Sequence, residues 1–277
     1  MNEKVRVDPA DGLPAMVVGS WAQGKHEKLT DYVGASWGAR ARFPGSSYID
    51  LFCGPGRVVE REHGAFRDGG ALAAWKTSCA YGKAPFHNIF IGDLSAESVK
   101  VCEQRLTKLG GQVRPYVGAA TKTVHEIVSD LPRGLHLAFL DPFNAKHLDF
   151  EIILALAAHP NIDILVHFSV MDIQRNIDLE AAKDGTRLEC IAPGWREAID
   201  LSRLPRTAFV GAFLDYWQRI VLNNTRMTAA STKPLLVNSK NGPLYRLILL
   251  SRHIHAQKLW NDVGRENKDQ RDLFGSF

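Results

Sequence analysis

Cysteine is scarce in this chain of 277 residues: the four present, Cys53, Cys79, Cys102 and Cys190, lie far apart and form no CxxC pair. That excludes a disulfide framework and a paired-cysteine zinc site, and reduced thiols in a cytoplasm are the expectation. No HExxH occurs, and His253-Ile254-His255 has no carboxylate or cysteine beside it, so no metal is expected. Long apolar runs are missing too. No stretch would cross a bilayer, and the opening MNEKVRVDPADGLPAM has no apolar leader core, so neither a membrane nor export is expected. Dense Lys/Arg tracts, internal repeats and low-complexity segments are absent as well. With a net charge of +4 and a pI near 8.9, a nucleic-acid partner is permitted but not demanded.

What is present is ordinary for a globular protein: 45% hydrophobic and 23% charged residues, in a chain long enough for a large core. After a polar lead-in, Leu29, Tyr32, Val33 and Trp37 recur at helical spacing. Strands and helices then alternate. Tyr48–Phe52, Ile89–Gly92, Val113–Val117, Leu135–Leu140 and Ile162–Phe168 read as strands. Ser95 is placed to cap the helix after the second of them, which Gly110 stops, and Thr121 to open the helix after the third. Residues 172–204 read as polar and irregular. Pro205 then starts a helix carrying Phe209, Phe213 and Trp217, and Leu235–Val237 and Tyr245–Leu250 read as a hairpin around Lys240-Asn241-Gly242-Pro243. Trp195, Trp217 and Trp260 fall in apolar helical contexts and are expected in the core.

This order predicts an α/β fold: a Rossmann-like, mostly parallel seven-stranded sheet ending in an antiparallel hairpin, as in class I methyltransferases. A single domain is expected over residues 1–277. A helical lead-in would occupy about 20–40 and an elaboration about 172–232.

In open α/β sheets ligands bind beyond the carboxyl ends of the strands, and four polar stretches fall at those ends. Asp50-Leu51-Phe52-Cys53-Gly54-Pro55-Gly56 closes the first strand. Its two glycines make either a plain tight turn or a backbone kept bare for a ligand. Ile91-Gly92-Asp93-Leu94 puts an acid where it would accept two hydrogen bonds from a ribose diol, or merely favour a helix N-terminus. The interval from Gly56 to Asp93 exceeds the usual roughly 20 residues, so Arg57–Asn88 is read as an insertion. Asp141-Pro142-Phe143-Asn144 offers an aromatic face between two hydrogen-bonding side chains, suited to a planar amide or amine. Met171-Asp172-Ile173-Gln174-Arg175-Asn176 follows the fifth strand, with Arg175 and Asn176 as candidate substrate contacts.

The order of these stretches resembles the three-Cys-motif partner proteins (TcmP), a bacterial family with a methyltransferase-like fold. The resemblance covers most of the chain. It lies in Gly24-Lys25-His26-Glu27-Lys28-Leu29, in Tyr48 to Gly56, in Asp68-Gly69-Gly70-Ala71, in Leu140-Asp141-Pro142-Phe143, in Asp172 to Asn176 and in Leu244-Tyr245-Arg246-Leu247. It implies S-adenosylmethionine (SAM) as cofactor, bound by Asp50, Phe52, Gly54, Gly56, Asp93 and Leu94, with the glycines near its methionine part and Asp93 on its ribose hydroxyls. It also implies an acceptor facing Asp141 to Asn144, and a radical-SAM-like partner with a three-cysteine motif. Amino-methyltransferases acting on nucleobases carry [DNS]PP[YFW] where this chain has one proline, which leaves the acceptor open between nucleic acid and a partner-associated substrate. The competing reading is a non-catalytic partner or nucleic-acid-binding module that keeps the fold. An NAD-type dehydrogenase ranks below both, because the GxGxxG spacing is missing.

Overall fold

The computed structural model describes residues 4–19, 22–80, 84–181, 187–237 and 242–265. In chain order, β1 (Val5–Val7) and β2 (Pro14–Val18) precede α1 (Ala22–Ala35) and the short α2 (Trp37–Arg40). Then come β3 (Ser46–Asp50), β4 (Arg57–Glu60), β5 (Phe66–Asp68) and α3 (Gly70–Ala80). Regular alternation follows: β6 (Asn88–Asp93), α4 (Ala96–Lys108), β7 (Val113–Val117), α5 (Ala120–Asp130), β8 (Leu135–Leu140), α6 (Phe150–Ala157), β9 (Ile162–Ser169) and α7 (Val170–Ala181). The chain closes with α8 (Arg187–Ile191), α9 (Trp195–Ala198), α10 (Phe209–Thr225), β10 (Thr228–Ala229), β11 (Leu235–Val237), β12 (Pro243–Ser251) and α11 (Ile254–Arg265).

Local chemistry explains several boundaries. Ser95 Oγ accepts from the Ser98 N–H at 3.2 Å and caps α4, and Gly110, at φ 81°, turns the chain out of that helix. All six residues of β8 are buried, as expected of a parallel strand covered on both faces. Thr121 was expected to open α5, but the helix starts at Ala120 with no side-chain cap.

The large sheet runs β7-β6-β3-β8-β9-β12, with β10 and β11 both paired to the far side of β12. β3, β6, β7, β8 and β9 are parallel, and β12 is antiparallel to β9, with Tyr245 opposite Ser169 and Leu250 opposite Ile164. This is the expected Rossmann-like, methyltransferase-type arrangement. The expected seven strands become eight because the outermost position is shared by two short pieces. β11 and β12 do pair as a hairpin, but β12 lies inside the sheet, between β9 and the outer strands. Residues 238–241, including Lys240 and Asn241 of the expected turn, lie outside the described residues.

Two further features depart from the sequence reading. The lead-in and the supposed insertion join in a second sheet, β1-β2-β4-β5, where β2 and β4 pair in parallel with Met16 opposite Val58. Its strands of 3–5 residues are too short to show a clean two-residue period. Residues 172–181, expected to be irregular, continue α7 straight out of β9. Ile173 and Ile177 are buried at i, i+4 there, and the polar residues between them mask the stripe.

Two apolar layers sandwich the large sheet. Ile173, Trp195, Phe213 and Trp217 pack with Phe168 and Ile248 in one. Leu29, Tyr32, Trp75 and Trp260 pack with Tyr48 and Leu247 in the other. The three tryptophans expected in the core are fully buried. Among the described residues, no helix is long and apolar enough to cross a membrane.

Candidate functional site

Between β3 and β8 the order of strands along the chain reverses, and a crevice opens beyond their carboxyl ends. A cleft of about 470 Å³ lies there. It takes its walls from the ends of β3, β6, β8 and β9, from Met16–Val18 of β2, and from Lys25 and His26 of α1.

The glycine loop follows β3. Gly54 and Gly56 have φ of 52° and 79°, a region that side chains adopt at a cost. A Cβ on Gly56 would lie 2.6 Å from Leu72 Cδ1 and 3.1 Å from Cys102 Sγ, and one on Gly54 would lie 3.2 Å from Met16 Cε. Turn geometry and packing therefore already require both glycines, and neither needs a ligand to explain it. Both nonetheless line the cleft. Asp93 holds this loop: its Oδ2 accepts the Gly54 N–H at 3.1 Å, and its Oδ1 the Ser95 N–H at 2.9 Å. Leu94 beside it is 66% exposed.

Asp50 ends β3 and is buried. Its Oδ1 accepts the Phe52 N–H at 3.0 Å, and the Tyr48 hydroxyl lies 3.4 Å from its Oδ2. Burial pushes the Asp50 carboxyl up to about 7. The Phe52 N–H opposes this, and the charges of Asp141 and Asp93 add to it.

At the end of β8, Lys25 Nζ reaches both oxygens of Asp141, at 2.8 Å to Oδ1 and 2.6 Å to Oδ2. His167 Nδ1 of β9 stands 2.8 Å from the same Oδ1. Its alignment is poor for a hydrogen bond, so the contact is one of charge and dipole, and Nε2 has no hydrogen-bond partner among the described residues. Burial alone would raise the Asp141 carboxyl. Lys25, and after it His167 and His26, outweigh burial and hold it far below the usual carboxylate range.

Both imidazoles are held neutral. Burial and the Lys25 charge lower His26 to about 4, against the opposing pull of Asp141, Asp68 and the Asp68 carbonyl. His167 is lowered by burial, which Asp141 partly offsets, and its ring meets Tyr245 edge-on at 4.0 Å. The cleft thus contains one closed ion pair flanked by two neutral imidazoles and by Asp50, whose carboxyl holds its proton toward neutral pH.

Of the residues singled out from sequence, Asp50, Phe52, Gly54, Gly56, Asp93, Leu94, Asp141, Pro142 and Phe143 all line this cleft. Phe143 is 78% exposed at its rim, with Lys4 Nζ 5.9 Å from the ring centroid. Asn144, Arg175 and Asn176 do not line it. Asn144 Oδ1 is buried without a partner among the described residues. Because α7 starts at Val170, only its first turn, through Met171 and Asp172, faces inward. Arg175 is exposed, and Asn176 Nδ2 donates back to the Asp172 carbonyl at 2.7 Å.

Sequence reasoning gave no role to Lys25, His26, His167 or Tyr245. Two signals were available. The apolar stripe Leu29, Tyr32, Val33 continued one turn back lands on Lys25, and His167 interrupts an otherwise apolar strand.

No protein-family model and no curated protein matches this chain. Solved structures do. A putative O-methyltransferase from Klebsiella pneumoniae is 15% identical, with 86% of this chain and 83% of that one covered, at a TM-score of 0.47. The O-methyltransferase TomG from Streptomyces achromogenes, in complex with SAM, is 13% identical over 83% and 80% of the two chains, at 0.45. An rRNA methylase from Streptococcus thermophilus is 11% identical over 82% and 93%, at 0.41. These are similarities of overall fold, at identities that carry no residue roles across.

Proposed function

We propose that this chain is a SAM-dependent methyltransferase of the three-Cys-motif partner type. One observation carries the reading: the glycine loop, the Asp93 carboxylate and the buried Asp141 meet in a single cleft at the switch point of a doubly wound sheet.

The residues present fit the cofactor. Asp93 spends one lone pair of each oxygen on the loop and keeps the others for a ribose diol. Exposed Leu94 and the Gly118-Ala119-Ala120 backbone offer an apolar seat for adenine. The cleft volume falls within the roughly 300–1,000 Å³ usual for such ligands. When bound, SAM supplies a methyl group already reactive toward nucleophiles. The chain's task is then to align the acceptor, exclude water and receive a proton where the acceptor carries one. In this reading Asp50 and the Gly54–Gly56 loop lie beside the methionine part, and Pro142 and Phe143 face the acceptor. The acceptor is a nucleic acid or a substrate held with a radical-SAM-like partner in the cytoplasm.

The decisive experiment is calorimetric titration of SAM and S-adenosylhomocysteine into wild type and Asp93→Ala. Binding by wild type that Asp93→Ala abolishes is expected, together with a higher melting temperature in the presence of ligand. No binding by wild type would overturn the proposal.

One observation favours a second reading, a non-catalytic module. Asp141 is already satisfied by Lys25, so the acid at the acceptor position is closed by the chain itself. Stable co-purification with a three-cysteine partner, combined with no SAM binding, would select it.

A further inference from the structure

One guanidinium joins the glycine loop to the hairpin that opens the chain. Arg105, on α4, is 5% exposed, and each of its five N–H donors has an acceptor. Nε and Nη2 hold the two oxygens of Asp11, at 2.7 and 2.8 Å, and Nη2 also reaches the Leu13 carbonyl at 3.3 Å. Nη1 donates to the Pro14 and Pro55 carbonyls, each at 2.7 Å. Asp11 and Leu13 lie in the turn between β1 and β2, Pro14 opens β2, and Pro55 stands between Gly54 and Gly56. Both parts serve the cleft. Met16–Val18 and the loop from Cys53 to Gly56 line it, and they come together where a Cβ on Gly54 would lie 3.2 Å from Met16 Cε. Arg105 itself does not line it. Asp93 accepts the Gly54 N–H from the β6 side, so the loop is held at a donor by Asp93 and at an acceptor by Arg105. A lysine could not replace this side chain, because a single ammonium lacks the fork that reaches a carboxylate and several carbonyls together.

We infer that Arg105 is a positioning residue for the cofactor. It draws the Pro55 carbonyl and the β1–β2 turn onto one side chain, and so sets the gap between the glycine loop and Met16–Val18. The inference rests on the methyltransferase reading, in which the methionine part of SAM lies against this loop, and adds to it a residue outside the cleft wall. It also gives the hairpin, which is no part of the Rossmann-like sheet, a place in the cofactor site.

S-adenosylhomocysteine is titrated by calorimetry into wild type, Arg105→Lys, Asp11→Asn and Val221→Ala. Amide hydrogen exchange of each protein is followed without ligand by peptide mass spectrometry. Arg105→Lys keeps a charge beside Asp11 but loses the grip on Pro55, so its affinity should fall by about tenfold. Residues 53–57 should also exchange about tenfold faster in it, while β8 keeps its wild-type protection. Asp11→Asn leaves the guanidinium on Pro55 and loosens only the hairpin, and a fall in affinity of about threefold is expected. Val221→Ala truncates a buried side chain of α10 outside the cleft lining. It should melt lower yet bind as wild type does. Wild-type affinity in Arg105→Lys, or in Asp11→Asn where Arg105→Lys does not fold, overturns the inference and leaves the methyltransferase reading standing. So does protection lost equally over the loop and β8, or an equal fall in affinity in Val221→Ala, since either would mean that Arg105 acts only on overall stability. Failure of wild type to bind overturns both.

Discussion

Lys25 Nζ and the Asp141 carboxylate, 116 residues apart in the chain, meet at 2.8 and 2.6 Å and tie α1 to the end of β8. The contact fixes one wall of the cleft. It also sets the protonation of its surroundings, because the ionised Asp141 helps to raise Asp50 while the Lys25 charge helps to lower His26.

Breaking this pair from one side should cost more than removing it whole. Asp141→Ala leaves the Lys25 ammonium buried without its partner and should lower stability by about 3–5 kcal/mol. Lys25→Met/Asp141→Asn should lose clearly less, because no uncompensated charge remains. Urea denaturation of the two variants checks this, and a larger loss in the double variant would show that packing rather than charge dominates. Any loss of activity in Asp141→Ala has to be read against this fall in stability.

Gly56→Ala should be among the more damaging small substitutions. It places a methyl group 2.6 Å from Leu72 Cδ1 at a φ of 79°, and about 2–4 kcal/mol of stability should go with it. Gly12→Ala is the control: φ there is 72°, but nothing lies within 4 Å of the new Cβ. Its cost should be near 1 kcal/mol. Equal losses in the two variants would mean that backbone conformation alone sets the penalty.

Two groups lining the cleft should contribute to the pH dependence of stability in opposite directions. His26, at about 4 in the folded state against 6.5 unfolded, binds more proton when unfolded. Its contribution therefore rises with pH between about 4 and 6.5. Asp50, at about 7 against 3.8, binds more proton when folded, so its contribution falls as pH rises from about 4 to 7. Asp50→Asn, which keeps an acceptor for the Phe52 N–H, should steepen the rise of stability with pH across that window, and His26→Gln should flatten it. Melting temperatures of both variants from pH 4 to 8 are the measurement, and parallel profiles would contradict the assignment.

The four cysteines should divide by exposure. Cys53 and Cys102 are buried, whereas Cys79 and Cys190 are exposed. Hydrogen bonding to Cys102 and burial push the Cys53 thiol well above its usual range. Iodoacetamide on the native protein should label Cys79 and Cys190 alone, with Cys53 and Cys102 labelled only after denaturation. Peptide mass spectrometry reads the outcome, and early labelling of Cys53 would show that the glycine loop opens.

The centre of the main sheet was legible because its strands are buried on both faces and read as continuous apolar runs, as in Leu135–Leu140 and Ile162–Phe168. The polar residues that end those runs, Asp50, Asp93 and Asp141, were legible for the same reason, since each stands where an apolar run stops. The small sheet was not. The three residues of β1 are all exposed, and the pairing of β2 with β4 joins Met16 to Val58 across α1 and β3. α7 was missed because its buried positions, Ile173 and Ile177, are separated by the polar residues Gln174, Arg175 and Asn176.

Alternation of apolar runs with amphipathic helices thus determined the Rossmann-like sheet and the line of its strand ends, since a parallel strand must hide both faces and local periodicity records that. Tertiary structure alone decided what stands at those ends. It showed that left-handed backbone at Gly54 and Gly56, with close packing at Gly56, already accounts for both glycines, that Arg175 is exposed and outside the cleft lining, and that Asp141 is paired with Lys25. Each of these depends on atoms brought together from distant parts of the chain, and the strength of a buried charge pair is set by that final proximity and by the water it excludes.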